Sequence, residues 1–283
     1  MDADALELER FLARTRRKLS GCRAGDGVGA PGAEVGIRDV GPGFLTWKVR
    51  DDGATTPTAS SDRAFWLAPE RAITGADIDE AIAFYASLGR ARAFFVVGPR
   101  AWSEGLGVEM ARRGMRAWAH VRYPALVRGV EVGAEEAWSR SASESTLRAS
   151  IVTGAEPEEL ARVLRLIEPW YGSDWLGLVR RVVVEVGAEL HVAWDEALGR
   201  PIAIGGVVIE GAWSYVCFGA TEESQRRRGC QTLLFGSRLA SARRQGAMWC
   251  AGETNTMAEQ SLRNFLRCGF VEAMEMRVWG WEG

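Results

Sequence analysis
The residues with most chemistry to offer stand in one run, Gly219-Ala-Thr-Glu-Glu-Ser-Gln-Arg-Arg-Arg-Gly-Cys-Gln-Thr-Leu-Leu234. A strand-like apolar stretch ends at its start, an amphipathic helix-like stretch opens at its end, and three arginines and a glycine lie between. That order makes an anion site. The first N–H groups of a helix have no intrahelical acceptor and sit at the positive end of the helix dipole, so a pyrophosphate can accept from several at once. Gly229 lets the backbone approach phosphate oxygens with no side chain in the way. Arg226, Arg227 and Arg228 add charge and forked donors. The plainer alternatives are a solvated arginine run, with at least one of the three side chains facing water, and a glycine that merely starts a helix. Their position between strand and helix favours the anion site.

The elements that must hold this run are legible on both sides of it. Residues 147–152 alternate as a strand, and Pro157 suits the first turn of a helix running to 167, where a missing N–H costs little. A second helix covers 174–186. Three antiparallel strands follow at 189–194, 201–209 and 213–219, joined by turns around Gly199 and Gly211. A helix over 229–245, a strand at 248–253, a helix over 258–268 and a strand at 273–281 complete the series. The fold class is α+β, with a mixed, mainly antiparallel sheet flanked by helices.

At this point the sequence resembles the GCN5-related N-acyltransferases (GNAT). Arg226-Arg-Arg-Gly229-Cys-Gln231 is similar to their phosphate loop, in which Arg or Gln is followed by two variable residues, Gly, one variable residue and Gly or Ala. Gln231 stands where the family keeps a small residue. Ser261-Leu-Arg-Asn-Phe-Leu-Arg-Cys-Gly-Phe270 is similar to the family's fourth-helix segment ending in Gly-Phe. The resemblance implies an acyl-CoA co-substrate, acetyl-CoA first, held by Gly219, Ala220, Thr221, Arg226, Arg227, Arg228, Gly229, Cys230, Gln231 and Thr232. It also implies a small-molecule amine as acceptor. The family's pantetheine-anchoring Asn falls near Ala258 or Glu259, with Asn255 close enough to substitute, and its thiolate-protonating Tyr falls on Phe265.

An amine of pKa near ~10 is only about one part in 10³ neutral at pH 7, so attack on a thioester needs a base. In this fold the fourth and fifth strands splay and admit the thioester, which implies Glu253 at the end of the fifth strand as that base. Glu253 could instead cap the next helix or pair with Arg263; Glu222 and Glu223 are weaker base candidates that could simply be solvated. Backbone N–H groups near 219–221 would polarise the acyl carbonyl. Trp170, Tyr171, Trp175 and Trp213 fall on the elements that flank the acceptor in this fold, and either line an aromatic pocket or pack the core. Gln231 and Phe265 motivate a second reading, a non-catalytic acyl-CoA-binding or regulatory protein. A third is an interaction scaffold that binds no nucleotide.

The first half has an amphipathic helix over 3–19, a Gly-rich loop at 21–36, a strand at 43–49 and a polar tract at 51–62. Then Thr74 caps a helix over 76–88, followed by a strand at 93–97, a helix at 103–113 and a strand at 118–123. It resembles a degenerate second copy, since Arg113-Gly114-Met115 mirrors Cys268-Gly269-Phe270 but no arginine-and-glycine loop is present. The expected organisation is therefore tandem, with residues 1–135 as the degenerate unit and 146–283 as the acyl-CoA-binding one, joined across 130–145.

Composition narrows the partners. A formal net charge of −2 offers no basic field for nucleic acid. No apolar run reaches about 18 residues, so no membrane span is expected. Five cysteines without CxxC spacing and two histidines, His120 and His191, argue against a metal site or a disulfide framework and for the cytoplasm. The sequence leaves a homodimer open. Cys230 and Cys250 read as small core residues, and both histidines as structural.

Overall fold
The computed structural model describes residues 2–21, 34–49, 62–67, 70–119, 121–130, 146–254 and 256–283. Cys22, His120, Asn255 and the expected boundary at 131–145 lie outside them. The chain divides into two compact units, but no single cut in the sequence produces them. The first holds residues 1–125, 255–257 and 273–283, and the second holds 126–254 and 258–272.

The first unit opens with helix α1 (Asp2–Gly21), whose Leu8, Phe11 and Leu12 are buried at helical spacing. Strands β1 (Glu34–Val40) and β2 (Gly43–Val49) form an antiparallel hairpin, and β3 (Arg63–Trp66) adds to β2. Helix α2 (Gly75–Ser87) carries the chain over to β4 (Arg92–Val97), which lies parallel to β3. Helix α3 (Glu104–Arg112), started by the Ser103 hydroxyl accepting from Leu106 N at 3.0 Å, leads to the short β5 (Arg116–Ala117). Trp66, Tyr85, Phe95 and Met110 are fully buried between these layers.

Strand β6 (Tyr123–Gly129) carries the chain into the second unit, which continues with β7 (Leu147–Val152). Helices α4 (Pro157–Tyr171) and α5 (Ser173–Glu185) come next. Strands β8 (Glu189–Asp195), β9 (Arg200–Glu210) and β10 (Trp213–Thr221) then run antiparallel in sequence. Helix α6 (Cys230–Arg244), β11 (Trp249–Glu253), α7 (Glu259–Arg267) and β12 (Val271–Glu282) complete the chain. Leu160, Val163, Leu164 and Ile167 of α4 pack on Leu190, Val192 and Ile204 of the sheet. On α6 and α7, Phe235 and Phe265 form an edge-on aromatic group with Phe270, centroids 5.0 to 5.5 Å apart. Among the described residues no helix is long and apolar enough to cross a membrane.

The last strands are exchanged. β12 follows α7 of the second unit, yet its residues Arg277 to Glu282 pair antiparallel with Val97 to Arg92 in the first. β6 follows the elements of the first unit, yet it lies beside β11, and Leu126 is buried with Val207, Phe235 and Phe270 of the second.

Three expectations are corrected. The Gly-rich loop ends earlier than 36, because β1 already begins at Glu34; and β3 was not expected. The strand placed at 118–123 is two strands, β5 before it and β6 after it. Pro124 does not stop β6, since proline is tolerated near the start of a strand, and Trp118 instead packs edge-on against Phe94 at 4.4 Å.

His191 is fully buried, as a structural histidine should be, bridging Ser237 Oγ at 2.8 Å and Glu189 Oε2 at 3.1 Å. Burial lowers its pKa below the ordinary 6.5, although the Glu189 carboxylate works in the other direction. A base with a depressed folded pKa binds fewer protons folded than unfolded, so its share of stability is complete above about 6.5 and is lost as pH falls through the folded value. Thermal unfolding of the wild type should therefore show the second unit losing stability between pH 7.5 and 5.5, and His191→Gln should flatten that slope. An equal slope in both proteins would contradict the assignment.

Candidate functional site
β10 and β11 pair in parallel only from Trp213 opposite Trp249 to Val216 opposite Gly252. Beyond Val216, β10 shifts register against β9 through an irregularity that ends at Gly219, and it continues to Thr221 without β11 beside it. The two strands thus part where each ends. The parting opens a cleft of about 920 Å³.

Gly219, Ala220 and Thr221 line the cleft from β10, and Cys230, Gln231 and Thr232 line it from the first turn of α6. Arg226, Arg227 and Gly229 come from the loop between them, and Glu253 from the end of β11. Gly229 sits at the helix N-cap with φ +82°, a left-handed conformation suited to glycine, and no side chain caps this helix start. Arg227 also has positive φ, at 68°, the one non-glycine residue to do so among those described. A left-handed arginine is backbone strain kept in the loop that lines the cleft.

Three interactions hold the loop in place. Arg228 turns to Asp195 Oδ2 at 2.5 Å, and Asp195 also accepts from the backbone N–H of Ala197 and Leu198 at 2.9 and 3.1 Å. The guanidinium is the main cause that holds the Asp195 carboxyl below its usual pKa. Arg228 is thus the arginine of the three that does not line the cleft. Arg200 grips both carboxylate oxygens of Glu222, which keeps that group ionised and occupied, while Glu223 is exposed beside Arg226. Gln231 folds onto β10, donating to Ala220 O at 3.1 Å and to Thr221 Oγ1 at 3.0 Å. Its larger side chain thereby ties strand to helix.

Glu253 accepts a hydrogen bond from the Tyr215 hydroxyl at 2.7 Å. Tyr215 is opposite Ala251, so Glu253 is two residues further along the same face of the neighbouring strand. Sequence reasoning missed Tyr215, although alternation along β10 and β11 puts both on one face. It also missed the wall contributed by α7, where Gln260, Ser261, Asn264 and Arg267 join Phe265, and it missed Arg238 of α6. Four arginines, Arg226, Arg227, Arg238 and Arg267, line the cleft against one carboxylate, Glu253.

The four aromatic residues expected around an acceptor do not line this cleft. Trp213 lies at the opposite end of β10, buried and stacked on Trp249 at 6.1 Å, because the cleft forms only where the strand ends. Trp170 and Tyr171 close the α4 core cluster, against which Phe218 and Ala220 of β10 also pack, and Trp175 is half exposed beside Tyr171 at 6.3 Å. None of the four lines the cleft. Cys230 is buried, and burial raises its thiol pKa, as suits a small core residue.

The first unit repeats the crossover but closes its helix. β3, α2 and β4 stand in the same relation as β10, α6 and β11, two parallel strands joined through a helix. At the start of α2, however, Thr74 and Asp77 form a reciprocal capping box, with Thr74 N donating to Asp77 Oδ2 at 2.8 Å. Arg71 adds two contacts of 2.7 Å to the same carboxylate. An internal anion already occupies that helix start.

No family model matches the chain, and no curated protein matches it in sequence. Solved structures do match in fold. A tandem GNAT protein from the clavulanic acid biosynthesis pathway is 15% identical with a TM-score of 0.60, covering 90% of this chain and 84% of its own. A GCN5-related N-acetyltransferase from Kribbella flavida is 18% identical with a TM-score of 0.54, covering 97% and 95%. The C-terminal domain of a putative lysylphosphatidylglycerol synthetase from Agrobacterium fabrum is 13% identical with a TM-score of 0.53, covering 99% and 92%. The chain therefore has the α+β fold of the GCN5-related N-acetyltransferases, in the tandem form.

Proposed function
We propose that the second unit is an acyl-CoA-dependent N-acyltransferase that acts on a small-molecule amine, with one acyl-CoA held in the cleft. The observation that carries this reading is the uncapped, glycine-started α6 facing a cleft with four arginines and one carboxylate. A pyrophosphate meets orphan N–H donors there, and Arg226 and Arg227 of the loop offset its charge. The gap between β10 and β11 suits an extended thioester arm, and N–H groups near Gly219 suit a developing oxyanion.

In this reading Glu253 takes a proton from the acceptor ammonium, directly or through a water. The freed nitrogen lone pair forms the C–N bond at the thioester carbonyl, the C–S bond breaks to release the thiolate, and the nitrogen gives its second proton to solvent to leave the neutral amide. Tyr215 holds the Glu253 carboxylate by its 2.7 Å hydrogen bond. Phe265 is buried among Phe235 and Phe270 and has no proton to give, so the thiolate takes its proton from another donor. A thiol of pKa about 8.5 is a fair leaving group near neutral pH.

Two substitutions test the reading in a thiol-release assay over an amine library, with CoA affinity measured alongside. Gly229→Val forces a β-branched residue into a left-handed position and blocks backbone approach. It should weaken CoA binding by at least tenfold, or ~1.4 kcal/mol, whereas Arg92→Ala in the first unit should not. Equal affinity in wild type and Gly229→Val would reject the phosphate site. Glu253→Gln keeps the shape and removes the base, so turnover should fall by ~10²-fold or more with CoA affinity nearly unchanged. Higher pH should restore part of that loss. Full activity of Glu253→Gln from about pH 6 to 9 would make Glu253 structural, and no thiol release with any amine would favour the non-catalytic reading.

A further inference from the structure
Arg238 of α6 carries a charge that no carboxylate among the described residues neutralises. Its residue is 2% exposed, and it lines the cleft. Nε donates to Leu234 O of its own helix at 3.0 Å, and Nη1 reaches the carbonyl oxygens of Gly206 and Phe218 only at 3.5 Å. The guanidinium carbon stands 4.3 Å from the centre of the Phe235 ring. Nη2 is buried without a hydrogen-bond partner. Among the described residues no carboxylate pairs with it; the thiols of Cys250, Cys217 and Cys268 and the buried His191 are the ionisable groups that act with it. Burial pulls its pKa down to about 10, so it remains a cation at neutral pH.

A buried, unpaired charge is among the costliest features a fold can keep. The chain nevertheless makes room for it. A Cβ at Gly205 of β9 would stand 3.0 Å from the guanidinium carbon, so glycine there lets the group lie against the strand. Arg238 also sits at the β10 irregularity, through Phe218, and shares the cleft with the apolar Val216, Phe235 and Phe265. A pocket with apolar walls and one fixed cation complements a short apolar chain that ends in an anion.

We propose that this part of the cleft selects an acyl group ending in a carboxylate, a dicarboxylic half-thioester of about malonyl to succinyl length, with Arg238 as its counter-ion. The proposal rests on the acyl-thioester reading above. A guanidinium fork can donate to both carboxylate oxygens, and in a dry site that pairing offsets the burial the free protein already bears. A neutral acetyl or propionyl group leaves the charge as it was.

The test compares malonyl-CoA and succinyl-CoA with propionyl-CoA and butyryl-CoA, and with free CoA, by calorimetric titration of the full chain. Wild type should favour the carboxylated thioesters over the neutral ones by at least about tenfold. Arg238→Met, which replaces a buried charge with an apolar stem, should abolish that preference while binding free CoA as before. Arg238→Lys should keep part of it. Equal binding of both classes by wild type overturns the proposal whether or not any variant folds. A preference that persists in Arg238→Met overturns it as well, and leaves Arg238 the task of holding the β10 irregularity through Phe218. If wild type binds no free CoA, the acyl-CoA reading itself fails, and this proposal with it.

Discussion
Four N–H groups at the start of an α-helix must find acceptors, and how each unit supplies them decides what that unit can do. In the first unit the acceptors are internal, because the Thr74 hydroxyl and the Asp77 carboxylate close α2 and Arg71 neutralises the carboxylate. In the second unit α6 begins at a left-handed glycine with no side-chain cap. Leaving that start open requires support from around it. Arg228 on Asp195, Arg200 on Glu222 and Gln231 on the end of β10 hold the loop and the strand by their flanks, and none of them caps the helix. One crossover thus gives a sealed helix start in one place and an open one in the other.

The second requirement is space beside that helix, and the sheet provides it by stopping early. β10 pairs with β11 as far as Val216, shifts register and runs on unpaired by β11, so backbone N–H groups that a longer ladder would consume are left facing a cleft. The same parting brings Glu253, at the last position of β11, to the cleft wall with Tyr215 holding it. Charge follows the geometry. In a chain of net charge −2, the arginines gather where the helix start is open.

Most of this arrangement was legible because it is local. The alternation of apolar residues marked the strands β8 to β11, and the arginine-and-glycine run marked where α6 starts. Only the resemblance places Glu253 on the cleft, since it implies that the strands part where β11 ends. What was not legible depends on contacts far apart in sequence. Nothing near Val271 or Tyr123 says that the final strands change units, since a strand's partner is set by the sheet it meets. Trp213 looked like pocket material by element, but its place at the start of β10 keeps it off this cleft. Arg228 could not be told from Arg226 and Arg227 until Asp195 was beside it. Arg238 gave no signal, because an arginine at one helical position reads as solvated until Gly205 and the β10 carbonyl are seen around it.

The account stands or falls on one asymmetry, an open helix start in the second unit and a closed one in the first. Calorimetric titration of the full chain with CoA measures it directly. The account predicts one CoA bound per chain, with affinity that falls as salt is raised, because Arg226 and Arg227 beside the open helix start act on the phosphates through screened charge. Two CoA molecules per chain would show that the capping box at Thr74 and Asp77 does not close α2, and no binding at all would show that the open start of α6 is not a phosphate site.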